Sequence, residues 1–259
     1  MAKNELTDYH VPNLVRAIKV IELLAERSAG MTTAQITELL NIPRNSVFRI
    51  TSTLLEYGYL LRDEESKAFQ LSKKLLTIGY AALSEESLIE KSLDGMRYLR
   101  DKYKETVPLG ILNGREGLVI EEVPGLHSFR YVLEPGRKFH LHTAAPAKAI
   151  MAFLPNEERS KIINQIKFKT FNENTVKSKK KLLEVLDNAQ KNGYAIDHAE
   201  EIEGMHCIGA PIFNRTGYPI AAIWITGPSI RIKEKEFTAI GKDIKKACLK
   251  ISKSLGYQG

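Results

Sequence analysis

MTTAQITELLNIPRNSVFRITSTLLEYGYLLRDEESKAFQL, residues 31–71, decides the fold. Thr32 and Gln35 have capping-box spacing: the hydroxyl accepts from the amide three residues on, and the Gln side chain reaches back. A short helix therefore starts there, with Ile36, Leu39 and Leu40 on its apolar side. Asn41-Ile42-Pro43 breaks it, and the fixed φ of proline suits the first turn of a second helix. In RNSVFRITSTLLEYG (44–58), Val47, Ile50 and Leu54 repeat at three and four and share the buried face. Asn45, Arg49 and Ser52 then lie opposite, with Ser46, Phe48 and Thr53 on the flanks. Gly58 supplies a left-handed stop. Tyr59–Arg62 and Ala68–Leu71 read as short strands around a polar tip, residues 63–67. The pattern is a helix-turn-helix with a wing. Such a helix fits the major groove, where Asn reads adenine and Arg reads guanine through paired hydrogen bonds. The residues expected at DNA are Thr33, Arg44, Asn45, Ser46, Arg49 and Ser52, with Arg62 and Lys67 of the wing near phosphates.

A chain of 259 residues is long enough for two domains of the usual ~100–200 residues. The longest apolar stretch, around Ile220–Ile225, is far shorter than the ~20 residues of a membrane span. The first ten residues hold no apolar signal core. The chain is expected to be cytoplasmic and not membrane-bound. Its two cysteines, Cys207 and Cys248, offer no disulfide framework or cysteine-rich zinc site and suit a reducing compartment. The net charge is +7, but residues 1–80 hold ten Lys and Arg against nine Asp and Glu. The excess therefore lies downstream, and charge alone does not point to DNA. Lys177–Lys181 (KSKKK) reads as a solvated helix start, or as a second phosphate patch.

Upstream, Asn13 is placed to cap a helix through Arg27 with the stripe Leu14, Ile18, Ile21 and Leu24. Downstream, SKKLLTIGYAALSEESL is helical in pattern, with Leu75, Leu76, Ile78 and Leu83 apolar, and reads as a linker helix whose apolar side meets a partner chain. One reading helix covers only a few base pairs, so modules of this size act in pairs. From about Glu86 the pattern changes. A helix through Lys104 precedes the strand-like runs Val107–Leu112, Leu118–Val123 and Phe129–Leu133. Thr143 is placed to cap a helix through Leu154, and another helix lies near Lys179–Lys191. A strand at Tyr194–Asp197, a hairpin of His206–Phe213 with Pro219–Thr226, and a helix over Glu234–Leu255 complete the chain. This order predicts an α+β architecture with helices packed on an antiparallel sheet. The domain boundaries expected are 1–72 (winged helix-turn-helix), 73–85 (linker helix) and 86–259.

Several polar residues of the second half stand beside Gly and Ala, where a pocket can form. Asp197 ends a strand, Glu200 and Glu201 follow it, Cys207 lies on the next strand and Thr226 near the end of another. The start of the helix at Thr143 offers unpaired amides to a carboxylate. An enzyme of small acids is an open alternative. Yet His206 and Cys207 are adjacent on a strand and point to opposite faces, so the imidazole is badly placed to activate the thiol. No phosphate-binding glycine loop, HExxH or GxSxG is present. A metal-responsive regulator using His140 and His142 with Asp197 is a further alternative. No cofactor and no catalytic residue is assigned.

From about Val11 to Leu255 the chain resembles the IclR family of bacterial transcription regulators. The carrying segments are PRNSVFRITSTLLEYGYL (43–60), GRKFHLHTAAPAKAIMAFLP (136–155) and GYAIDHAEEIEGMHCIGAPIFNRTGYPIAAIWITGP (193–228). The resemblance implies a GAF-like effector-binding second domain and a homodimer or homotetramer on double-stranded operator DNA. It also implies a small carboxylate or aromatic-acid effector. Asp197, Cys207 and Thr226 match the family's ligand-contacting positions, with Thr143, Ala144, Ala145 and Gly110 near the same pocket. Two departures stand out. The family's Ala-Thr-Ala and Gly-Lys are replaced by Thr143-Ala144-Ala145 and Ala147-Lys148, with Pro146 removing an amide. Trp224 stands where a small hydroxyl residue is common, so its indole shrinks the cavity or offers a stacking surface.

Overall fold

The capping box forms as spaced. Gln35 N donates to Thr32 Oγ1 at 3.4 Å and Thr32 N to Gln35 Oε1 at 2.8 Å. The computed structural model describes residues 11–27, 29–75, 78 and 88–259, which fall into two units, Met1–Glu85 and Glu86–Gly259. In the first, α1 (Pro12–Ala25), α2 (Thr33–Leu40) and α3 (Arg44–Glu56) precede the hairpin β1 (Leu60–Arg62) and β2 (Phe69–Leu71). Asn41 closes α2 in the left-handed region at φ 50°, and Gly58 does the same after α3 at φ 74°. Val20, Leu24, Ile36, Val47, Ile50, Leu60 and Phe69 form one core. Met31 exchanges two backbone hydrogen bonds with Phe69, tying the entry of α2 to the wing.

Two expectations for α1 are corrected. Its N-cap is Val11 with Pro12 in the first turn, not Asn13. Its buried residues are Val20 and Leu24, while Leu14 and Ile18 are exposed. The helix has apolar residues on more than one stripe, and α2, α3 and β2 cover the one containing Val20. The linker helix expected over 73–85 falls largely outside the described residues; Leu76 and Leu83 are among those not described.

The second unit is built on a six-stranded sheet of order β5-β4-β3-β8-β7-β6, every neighbouring pair antiparallel. Its strands are β3 (Val107–Asn113), β4 (Glu116–Val123), β5 (Lys138–Phe139), β6 (Ala195–His198), β7 (Met205–Phe213) and β8 (Pro219–Pro228). Alternation along β7 and β8 sends Ile208, Ala210, Ile212, Ile223 and Ile225 to one face. There they meet Met96 and Leu99 of α4 (Leu88–Tyr103) and Ile240, Ile244 and Ile251 of α8 (Phe237–Ser254). Each such aliphatic side chain, fully buried, contributes about 1.5–3 kcal/mol.

The other face carries α5 (Ala145–Met151), α6 (Asn156–Gln165) and α7 (Lys179–Asn192), packed through Ile150, Met151, Ile163, Leu182 and Leu186. All residues of α5 are buried. Gly209 lets that helix approach the sheet: a Cβ there would stand 3.5 Å from the Ala145 carbonyl carbon and 3.0 Å from Trp224 Cβ. The α+β architecture, an antiparallel sheet with packed helices, is as expected.

Two elements differ from the sequence reading. Phe129–Leu133 is not a strand. Side chains hold its backbone instead: Thr106 Oγ1 and Arg231 Nη2 donate to the carbonyls of Tyr131 and Phe129, and Leu133 N donates to Glu122 Oε2. The helix expected from Thr143 to Leu154 shortens to Ala145–Met151, with Ala144 as N-cap and no side-chain cap. Thr143 instead donates its hydroxyl to Glu201 Oε2 at 2.9 Å. With seven residues and Pro146 in its first turn, α5 is a poor source of free amides for an anion.

Candidate ligand pocket and DNA-reading face

The register of the second sheet sets four polar residues in a row. Asp197 of β6 pairs with Cys207 of β7, Cys207 with Thr226 of β8, and Thr226 bridges to Thr106. Asp197, Cys207 and Thr226 of this row lie on the face opposite the isoleucines and form the floor of a cavity of about 80 Å³. Ala144, Ala145 and Pro146 form one wall, and Tyr131, Leu133 and Phe139 another. Trp224 spans between them, its ring edge-on to Phe139 at 5.6 Å. Arg137 stands at the lining and donates to Tyr131 Oη at 2.6 Å.

Of the residues expected here, Ala144, Ala145, Asp197, Cys207, Trp224 and Thr226 line the cavity together. Gly110 and Thr143 stand behind it. A Cβ on Gly110 would come within 3.0 Å of Trp224 Cζ3 and of Phe139 Cε1, so this glycine makes room for the indole.

Asp197, Glu200 and Glu201 were expected near the pocket, but the buried cation that meets them, Lys148, was not. Lys148 of α5 is fully buried and donates to Glu200 Oε1 at 2.5 Å. Glu200 Oε2 is buried without a hydrogen-bond partner. Asp197 Oδ1 accepts from the Glu200 amide at 2.8 Å. Burial pushes the Asp197 carboxyl up to about 7, Lys148 opposing and the Glu200 charge adding to the rise. Burial likewise raises Glu200 against the pull of Lys148. Glu201 is held apart from this pair by Thr143 and by His140 Nδ1 at 3.0 Å.

Cys207 Sγ donates to Thr226 Oγ1 at 3.2 Å, and burial, then the Asp197 charge, push the thiol well above its ordinary value. That is the opposite of an activated nucleophile, whose pKa is lowered. His206 is turned to the other face, with Nδ1 2.8 Å from the Ile232 carbonyl. His140 and His142 do not converge on Asp197. The first pairs with Glu201, and His142 Nε2 lies 2.9 Å from the Lys169 carbonyl, its pKa lowered chiefly by burial. Among the described residues no three His, Cys, Asp or Glu side chains are grouped to hold a metal ion.

In the first unit, Arg44, Asn45, Arg49 and Ser52 are exposed along α3, and Ser46 and Thr33 are half-buried. Ser46 and Arg49 also line a groove against Asn13, Leu14 and Ala17 of α1. Phe48 projects from the same helix, 62% exposed. An apolar ring there suits a thymine methyl group. On the wing, the Arg62 guanidinium lies 5.5 Å from the Phe69 ring centre, and Lys67 Nζ is 3.3 Å from Glu64 Oε2.

Comparison with known proteins agrees with both halves. The family model for the IclR helix-turn-helix domain matches residues 13–64, and that for the C-terminal part of the bacterial transcriptional regulator IclR matches residues 80–253. The HTH-type transcriptional regulator KdgR of Escherichia coli K12 is 29% identical over 248 residues, 95% of this chain and 94% of KdgR. The crystal structure of Thermotoga maritima IclR superimposes with a TM-score of 0.76 at 28% identity, covering 96% of this chain and all of that one. An IclR homologue from Microbacterium hydrocarbonoxydans, complexed with 4-hydroxybenzoate, has the same fold at a TM-score of 0.82 and 19% identity, covering 94% of this chain and 98% of its own. The relatives bear the names of regulators, not of enzymes. With family models matching most of its length, the chain belongs to the IclR family of bacterial transcriptional regulators, ligand-responsive proteins that bind DNA.

Proposed function

We propose that the chain is a cytoplasmic regulator that reads a near-palindromic operator as a homodimer or homotetramer and answers to a small carboxylate-bearing metabolite. The residues that divide this work are the winged helix-turn-helix (1–72), a linker helix (73–85) and the ligand unit (86–259). In this reading α3 enters the major groove, with Arg44, Asn45, Ser46, Arg49 and Ser52 near bases and Thr33, Arg62 and Lys67 near the backbone. What carries the reading is the exposed row Arg44, Asn45, Arg49 and Ser52 on α3, opposite an inner side that packs Val47 and Ile50 into the core.

The pocket supports the ligand half. An apolar cavity of about 150 Å³ admits benzene, so about 80 Å³ suits an acid smaller than an aromatic ring. A short keto or hydroxy acid is the class that fits. Its carboxylate would face Arg137, and its second polar group the Asp197–Cys207–Thr226 row. Binding there would alter how the linker helices pack, and a coupling of about 1–3 kcal/mol would change operator affinity roughly 5–150-fold.

The test is anisotropy titration of the purified chain with DNA fragments from upstream of its own gene, repeated with pyruvate, lactate and glycolate. Binding to one fragment, shifted by at least one acid, is the expected result. Indifference to every fragment would end the reading.

A further inference from the structure

The floor of the cavity holds an acid whose neighbouring cation is engaged elsewhere. Lys148 reaches Asp197 from α5, Glu200 and Glu201 from the loop after β6, Cys207 from β7, and Tyr131 from the loop over the site; Arg137 and Lys138 stand at the lining. The Lys148 ammonium donates to Glu200. Glu201 is held by Thr143 and His140, Arg137 by Tyr131, and Lys138 pairs with Glu116 at 3.0 Å. Cys207 keeps its proton. Two buried carboxylates, Asp197 and Glu200, thus share one buried ammonium, and Glu200 Oε2 has no partner.

We propose that Asp197, backed by the Lys148–Glu200 pair, meets the ligand as a neutral acid, so that this pocket takes up an anion and a proton together. The inference rests on the small-acid reading above. Even with its carboxylate turned to Arg137, an anion confined to this cavity of about 80 Å³ would be repelled by an ionised Asp197, because like charges in a buried site disfavour each other. A protonated one donates its O–H to the ligand oxygen, while Oδ1 keeps the Glu200 amide. The proton comes from solvent and stays on Asp197; no covalent bond changes. Since burial already lifts this carboxyl to about 7, a bound anion lifts it further and the protein takes up a proton near neutral pH. Linkage then requires affinity to weaken above neutrality, by up to roughly tenfold per pH unit for one proton. The regulator would read metabolite and acidity in one event.

The experiment has two arms on the full chain. Without ligand, thermal unfolding midpoints of wild type and Asp197→Asn are followed from pH 5 to 8.5. The wild type should lose stability relative to the variant as pH rises towards 7; parallel curves would overturn the neutral-acid assignment. With pyruvate and lactate as probes, calorimetry in buffers of different ionisation enthalpy reads proton uptake. Wild-type Kd should rise about tenfold per unit above pH 7. Asp197→Asn has no proton to take up, so whatever its affinity its Kd should not change with pH. A flat wild-type profile, or a profile in Asp197→Asn as steep as that of wild type, would overturn proton-coupled uptake. If neither probe binds at any pH while the unfolding curves diverge, the carboxylate reading and anion uptake fail together and only the protonated Asp197 stands.

Discussion

Replacing Lys148 with Met removes the ammonium and leaves the Glu200 carboxylate buried with neither oxygen satisfied by a side chain. At 2.5 Å and an effective dielectric of 20, the gross attraction is about 6–7 kcal/mol. Desolvation of both ions cancels most of it, so the intact pair adds little net stability. Breaking it is another matter: an uncompensated buried charge costs about 3–5 kcal/mol. With a urea m-value of about 2–3 kcal/mol/M, the midpoint of the second unit should fall by roughly 1–2.5 M. Lys148→Met/Glu200→Leu removes both charges and should recover to within about 1 kcal/mol of wild type.

The deficit of the single variant also depends on pH. Glu200 is already raised by burial, and Lys148 is what holds it down. Without Lys148 its folded value rises further above the unfolded one, so the folded state binds the extra proton. Stability therefore falls as pH rises from the unfolded value near 4 towards the raised one, and the deficit is larger at pH 8 than at pH 5. Urea unfolding of the four proteins of the cycle at both pH values is the assay. A single-variant cost under about 1 kcal/mol, or a double variant as unstable as the sum of the singles, would refute the reasoning.

Trp224→Ala should open the cavity to aromatic acids, because the indole occupies more space than the cavity it bounds; thermal shifts with benzoate should appear in the variant and not in wild type. The same change should lower stability by about 3–5 kcal/mol through the void it leaves. Thr32→Ala removes one half of the capping box and should cost about 1 kcal/mol, read as roughly fivefold faster hydrogen exchange at the Gln35 amide if α2 opens locally.

The DNA-reading unit was legible because its signals are local. The Thr32/Gln35 cap, the Pro43 restart, the Gly58 stop and the two short strands each need only a few neighbouring residues. The face of α1 was legible only in part: Leu24 is buried as expected, but Leu14 and Ile18 extend the apolar pattern as well as Val20 does, and only tertiary packing chooses between stripes. The run Phe129–Leu133 has β-forming residues, yet its backbone partners are side chains from Thr106, Glu122 and Arg231, distant in sequence.

At the site, Asp197, Cys207 and Thr226 stood out as polar residues beside Gly and Ala and again by family resemblance, and strand register then explained why they stand in one row. The Lys148–Glu200 pair was missed, although AAPAKAIMAF contained a sign. A helix with apolar residues on every side is buried all round, so its single lysine is buried too and requires an acid. Which acid, 52 positions away, is information that only the fold supplies.

The outward side of α3 bears the weight of the functional reading, and base preference measures it most directly. Wild type and Arg49→Ala are titrated against an operator and its single-base variants at several salt concentrations. Arg49→Ala should lose about 1–3 kcal/mol of discrimination at one base pair while retaining its preference elsewhere. An unchanged preference at every position would contradict the placement of this helix in the groove.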